Sequence, residues 1–320
     1  MDIEKSSNNI QVSVVVPMRN AQQYIAKTLK NILKQQQVTL EIIIVDDMST
    51  DQSAAIVKSL NDPRVKLLNG PGIGIAAALN LGYGAASGEI IIRCDADDYL
   101  CSNDRLIKQY QFLSNNNDYE AVCGNFLAMD QYDNHLGSFN CGDVLMDITD
   151  KIKNGELVCS FCTYAIKRTL FNKVGGFRPY FVTGEDVDFQ LRLAEHTNIM
   201  YFPDDWYIYR LHADSITHVQ PEKTKLAYES MAKTFQKQRL RTGKDDLELG
   251  LAMPVLKKND PSKPTSATTH AMNLAIGHSW RLHNQGQKKE ALAILFKLFK
   301  RNPLSLVLIK HLILLAIKSA

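Results

Sequence analysis

The chain has 320 residues, with 37 Lys plus Arg against 34 Asp plus Glu, a formal net charge of +3. That balance speaks against a protein built for the electrostatics of nucleic-acid binding. A composition of 45% hydrophobic and 22% charged residues excludes a wholly disordered chain, and 17 Gly with 10 Pro exclude a collagen-like one.

The amino-terminal stretch MDIEKSSNNIQ is polar and lacks an apolar core, so no secretory signal is expected there and the predicted location is cytoplasmic. From Val12 the chain alternates between two periods. Val12–Val16 is a short β-branched run that predicts a strand buried on both faces. Pro17-Met-Arg-Asn20 breaks it. Ile25, Leu29, Ile32 and Leu33 follow at helical spacing, with Asn20 as the expected cap. Glu41–Val45 predicts a second strand, closed by Asp46-Asp47, and Ala54, Ile56, Val57 and Leu60 a second helix. Val65–Leu68 reads as a third strand, Ile75–Ser87 as an Ala-rich helix, and Glu89–Arg93 as a fourth strand ending in Cys94-Asp-Ala-Asp-Asp98. Strand and helix alternating at this spacing predict βαβ units in an open, mainly parallel sheet, whose ligands bind at the carboxyl ends of the strands.

Three polar groups fall at such ends: Arg19-Asn20, Asp46-Asp47 and Asp95/Asp97/Asp98. Two carboxylates spaced i, i+2 after a buried strand can share a hard cation and leave positions open for a diphosphate, which suits Mg²⁺ or Mn²⁺. Asp46-Asp47 can accept hydrogen bonds from a base or ribose, although Ser49, Thr50 or Asp51 there would also cap a helix. Gly72, Gly74 and Ala77 match a GxGxxA fingerprint with Asp95 about 20 residues on. It opens the third βα connection rather than the first, and Asp95 belongs to an acidic cluster that repels pyrophosphate. The stretch therefore reads as a tight loop into a helix rather than a nicotinamide site.

Beyond residue 120 the pattern loosens. Val174-Gly-Gly-Phe177 predicts a turn, and Gly184-Glu-Asp-Val-Asp188 leads into the apolar-periodic Phe189–Leu193. Its carboxylates could supply a general base or simply favour a helix amino terminus. His212 is the one histidine in a motif, Tyr209-Arg-Leu-His212. The six cysteines all lie between Cys94 and Cys162, which is not how a disulfide framework is spread, so free thiols are expected. Residues 257–269 read as a polar linker, and the tail from Ala271 as helices broken near Gly286 and Pro303. The apolar run Leu304–Ile317 would extend about 21 Å as a helix, short of the hydrocarbon core of a bilayer.

Seven of these pieces fall in order: VSVVVPMRN (12–20), IIIVDDMSTD (42–51), GIAAALNLGYGAASGEIIIRCDADD (74–98), DRLIKQ (104–109), VGGFRP (174–179), GEDVDFQLRL (184–193) and YRLHADSIT (209–217). Together they resemble family 2 glycosyltransferases of the GT-A fold, bacterial ones in particular. The resemblance implies a Rossmann-like nucleotide-sugar domain over residues 1–220 with a helical extension over 221–320. It implies an inverting transfer from a nucleotide sugar, a UDP-sugar by the match at Asp47, to a saccharide or lipid-linked acceptor in cell-surface polysaccharide assembly. It also implies roles: Asp186 as catalytic base with Glu185 beside it, and Pro17, Arg19, Asp47 and Asp95 around the nucleotide sugar. Asp97, Asp98 and His212 would face a Mn²⁺ or Mg²⁺ ion. Arg19 replaces a frequent Tyr, and Leu79 a frequent Arg before Asn80. The alternatives are an inactive glycosyltransferase-like binding protein and a nucleotidyltransferase, which would release pyrophosphate.

Within the extension, Gly286–Pro303 resembles half of a tetratricopeptide unit, for which a helical hairpin against the catalytic domain is the plain expectation. Lys297, Lys300, Arg301, Lys310 and Lys318 flank apolar residues, which suits peripheral contact with the inner face of the cytoplasmic membrane as the alternative.

Overall fold

The computed structural model describes residues 9–212, 221–254 and 266–318. Among the described residues a ten-stranded sheet runs through the protein, with helices on both faces. The first strands are β1 (Val12–Met18), β2 (Leu40–Asp46), β3 (Val65–Asn69) and β4 (Ile90–Arg93). Helices α1 (Ile25–Ile32), α2 (Ser53–Ser59) and α3 (Ile75–Ala85) connect them. The four strands are parallel in the order β3-β2-β1-β4, with Val14 opposite Ile42 on one side and Ile92 on the other. The β-branched runs lie where both faces are covered, and Val12, Val14, Val15 and Val16 are fully buried. Gly82 lets α3 lie close on the sheet: a Cβ there would sit 2.4 Å from Val15 Cγ1.

The rest of the sheet is built differently. After β5 (Tyr99–Leu100) and α4 (Arg105–Asn115) come β6 (Tyr119–Asp130), β7 (His135–Phe139), β8 (Met146–Asp147) and α5 (Thr149–Lys153). Then follow β9 (Ala165–Lys167), α6 (Arg168–Val174), α7 (Glu185–Ala194) and β10 (Asn198–Leu211). The antiparallel β9 joins β4 to β6, and the long β6 and β10 run parallel, with register shifts around Asp205. These shifts turn Trp206 inward, 1% exposed, against Gly124, where a Cβ would lie 2.7 Å from the indole.

Helix α8 (Glu222–Thr242) packs on α7, and its Tyr228, Ala232 and Phe235 share one core with Phe177, Phe181 and Phe189. A buried ion network reinforces this contact. Asp188 of α7 accepts from Arg178 Nε and Arg192 Nε, each at 2.9 Å. Asp245, after α8, accepts from Arg178 Nη1 at 2.6 Å and from Arg239, which also pairs with Glu195.

Helices α9 (Ala267–Asn284), α10 (Lys288–Arg301) and α11 (Leu306–Ile317) close the chain around a small core of Ile276, Leu295, Leu308 and Leu315. Helix α9 fastens them to β7: Arg281 donates to Ser138 O at 2.6 Å and lies over the Phe139 ring. No helix among the described residues is long and apolar enough to cross a membrane.

Two local expectations change. Asn20 does not cap α1, which begins after Tyr24. It takes a left-handed backbone, φ 52°, and its Oδ1 accepts from Thr50 N at 2.7 Å, tying the β1 and β2 loops together. Of the linker over 257–269, residues 257–265 lie outside the described residues. Ser266 is instead the cap of α9, accepting from Thr269 N at 3.2 Å, so the helix begins inside the expected linker.

Candidate active site

The polar groups read from the sequence sit where β1, β2 and β4 end, joined by the amino terminus of α7 and the last turn of β10. Pro17 lies in β1 opposite Val45, and Arg19 follows as an exposed side chain. Asp47 is held from two sides. Its N–H donates to Met18 O at 2.8 Å, and its carboxylate accepts from Gly72 N at 2.6 Å and Gly74 N at 3.3 Å. The glycine-rich stretch thus clasps Asp47, and Gly70 permits the approach, since a Cβ there would lie 2.9 Å from Asp47 Cα. Asp47 is 6% exposed, and each oxygen retains acceptor capacity beyond the clasp.

The Asp95–Asp98 run divides its carboxylates among three tasks. Asp95 is gripped by Arg93, with Nε to Oδ1 at 2.6 Å and Nη2 to Oδ2 at 3.1 Å. Arg93 is 6% exposed and extends Nη1 to Glu185 Oε1 at 3.3 Å, bridging the acidic run to α7. Asp97 meets His212 Nε2 at 2.7 Å, and its carbonyl accepts from Arg210 Nε at 2.9 Å. Asp98, expected at the metal, turns inward instead. It is 1% exposed, and its oxygens accept from Arg210 N at 2.7 Å and Tyr207 OH at 2.8 Å. Burial, then the charges of Asp97 and Asp95, push its carboxyl well above the ordinary range. A carboxyl so placed clamps β10 to the loop.

Gly184, at φ 72°, turns the chain into α7 so that Glu185 and Asp186 open its first turn. Glu185 faces inward and is 6% exposed. Burial and the neighbouring Asp186 charge raise its carboxyl to about 7, against the pull of Arg93. Asp186 is only half-buried, accepts from Val187 N at 2.9 Å and keeps its other oxygen for a partner.

The glycosyl transferase family 2 model matches residues 13–175, half of the chain. The chain belongs to glycosyl transferase family 2. Glycosyltransferase GlyG of Streptococcus pneumoniae serotype 4 is 29% identical over 231 residues, covering 65% of this chain and 73% of its own. The Escherichia coli UDP-Glc:alpha-D-GlcNAc-diphosphoundecaprenol beta-1,3-glucosyltransferase WfgD is 30% identical over 194 residues, 59% and 71% of the two chains. Residues 1–349 of Staphylococcus aureus TarS, solved with UDP-GlcNAc, superpose with a TM-score of 0.56 at 18% identity, covering 91% of this chain and 81% of that one. The mannosyltransferase PcManGT of Pyrobaculum calidifontis, solved with GDP-Man and Mn²⁺, gives a TM-score of 0.54 at 20% identity, with coverages of 96% and 86%. The structural likenesses establish the GT-A fold, and the family establishes a glycosyltransferase.

Three residues of this candidate site were given no role in the sequence reading: Arg93, Tyr207 and Arg210. Arg93 carried a signal, a lone charge closing the buried run Ile90–Ile92. Arg210 lay inside the Tyr209-Arg-Leu-His212 motif without a role, and Tyr207 carried no signal, because the Asp98 carboxyl that both meet lies more than a hundred positions away. Among the described residues no three His, Cys, Asp or Glu side chains gather to hold a metal alone. An ion at Asp97 and His212 would complete its shell with water and diphosphate oxygens, the usual habit of Mg²⁺ and its relatives. His212 would serve through Nε2, the ring nitrogen that faces Asp97, on a ring that is 6% exposed.

Proposed function

We propose that this family 2 transferase moves a sugar from a UDP-sugar to a hydroxyl of a saccharide or lipid-linked saccharide, with inversion, in the assembly of a cell-surface polysaccharide. The observation that carries the reading is the Arg93 bridge. It holds Asp95, on the donor side, and Glu185, beside Asp186, within one salt-bridged unit. WfgD is named for a UDP-glucose donor and a diphosphoundecaprenol-linked acceptor, which supports the donor and acceptor classes. A cytoplasmic location is proposed with them, since nucleotide sugars are made there. Residues 1–220 would form the catalytic unit, with α8 of the extension bracing α7.

The half-exposed Asp186 removes the acceptor proton, and the oxygen attacks the anomeric carbon from the face opposite the diphosphate. The C–O bond to the diphosphate breaks as the new one forms, and UDP leaves with the electron pair. Glu185 cannot share this task, because it is turned inward onto Arg93. Asp95 and the clasped Asp47 orient the nucleoside, and Arg19 offers a positive side chain at the rim of the same cleft. Asp97 and His212 would hold Mn²⁺ or Mg²⁺, which when bound supplies Lewis-acid stabilisation of the departing diphosphate.

A panel of UDP- and GDP-sugars, assayed for nucleoside diphosphate release, tests the proposal. Release of UDP from one donor is expected. Release of GDP alone would move the donor class, and release of pyrophosphate would replace the transfer reaction with nucleotidyl transfer.

A further inference from the structure

The last two helices present a surface that the transferase reading does not use. Helix α11 buries Leu308 and Leu315 and leaves its opposite side open. Leu306 is 80% exposed, Ile313 55% and Ile317 75%, at the i, i+7, i+11 positions of one helical row. Val307 and Leu314 widen the row, and Phe296 of α10 is also exposed. Soluble monomers rarely present so many large apolar side chains together.

Charge distinguishes what would cover this surface. From Ala291 to the last residue the sequence has no Asp or Glu, while Lys297, Lys300, Arg301, Lys310 and Lys318 lie in that span. Lys310 falls within the exposed row, between Leu306 and Ile313. Lys300 Nζ sits 5.1 Å above the exposed Phe296 ring of α10. A symmetric pair of such helices would set Lys310 against its own copy, which opposes self-association. The twelve-residue α11 is about 18 Å long, too short to span a bilayer but long enough to lie in its surface. Lysine stems can lie along the apolar surface with their ammonium groups at the phosphate level.

We infer that α10 and α11 form an interfacial docking surface for an anionic lipid bilayer, with the apolar row of α11 sunk below the headgroups. The inference rests on this surface alone and not on the chemistry of the cleft.

Co-flotation of the full-length protein with vesicles tests it. Phosphatidylcholine alone is compared with phosphatidylcholine and phosphatidylglycerol in equal parts. The protein is expected to float at least about 10-fold more with the anionic vesicles, and less as salt is raised. Two double variants sharpen the result: Ile313→Glu with Ile317→Glu, and Lys297→Glu with Lys310→Glu. All four sites are exposed, so thermal melts should match the parent, while partitioning falls by about 10-fold or more in each. Absence of flotation by the parent would overturn the inference. So would equal flotation of the parent and the Ile313/Ile317 variant, or a concentration-dependent dimer that this variant abolishes without any vesicle binding. The test uses no donor sugar, so its failure leaves the transferase reading intact.

Discussion

Glu41, at the amino end of the parallel strands, and Asp97, Asp186 and Glu185, at the carboxyl end, are treated in opposite ways. At the amino end, Glu41 of β2 is 2% exposed and fully engaged. It accepts from Ser13 Oγ at 2.6 Å and from Ser87 N, Ser87 Oγ and Lys66 Nζ, each at 2.7 Å. Burial alone would raise its carboxyl, yet these donors hold it at about 2. At the carboxyl end Asp97 has His212 for a side-chain partner, Asp186 keeps an oxygen open, and Glu185 is raised to about 7. A carboxylate saturated by donors ties strands together. A carboxylate left short of donors is poised for a ligand, and the fold carries its cost.

That contrast breaks most visibly if the open carboxylates turn out to be structural. Asp97→Ala and Asp186→Asn should each lower turnover by about 10²-fold or more, with melting temperatures near that of the parent. Steady-state kinetics and calorimetry on the same preparations check both halves of the statement. Asp188→Ala should do the reverse, destabilising the fold by about 3 kcal/mol because it strands Arg178 and Arg192 without their shared partner. Denaturant unfolding measures it. A smaller effect is expected at Asp47→Ala, which frees the Gly72 and Gly74 amides; the KM for donor should rise by about 10-fold with kcat less affected.

The subtlest difference lies in pH. Glu41 has a folded pKa of about 2 against an ordinary 4.5, so its stabilisation is present above that range and is lost as pH falls towards 2. Glu185 runs the other way: raised to about 7, it favours the fold at low pH, and that contribution is lost as pH rises from 4.5 through about 7. Unfolding followed across pH should therefore lose its acid-side slope in Glu41→Gln. The slope between mildly acid and neutral pH should flatten in Glu185→Gln.

Much of the donor half was legible because β1, β2 and β4 are buried on both faces. Val14–Val16, Ile42–Val45 and Ile90–Ile92 read as unbroken apolar runs, and Arg19, Asp46-Asp47 and Arg93 follow them within a few residues. The second half was not legible, for a physical reason. Strands β6 and β10 are partly exposed and β10 is bulged around Asp205, so neither shows a clean period. At the site, the Asp95–Asp98 run and the Glu185-Asp186 pair were visible as local motifs. Their division of labour was not. The inward turn of Asp98 depends on Tyr207 and the Arg210 amide, and the Arg93 bridge to Glu185 spans 92 positions. The glycine loop was read correctly as a tight turn, but its hold on Asp47 emerges only when β2 and α3 are adjacent.

The central claim, that the carboxylates at the carboxyl end of the strands form a metal-assisted UDP-sugar site, is tested most directly by calorimetric titration with UDP in the presence and absence of Mn²⁺. The account predicts UDP binding that strengthens with Mn²⁺ and loses that enhancement in Asp97→Ala. Mn²⁺-independent binding, or tighter binding of GDP than of UDP, would contradict it.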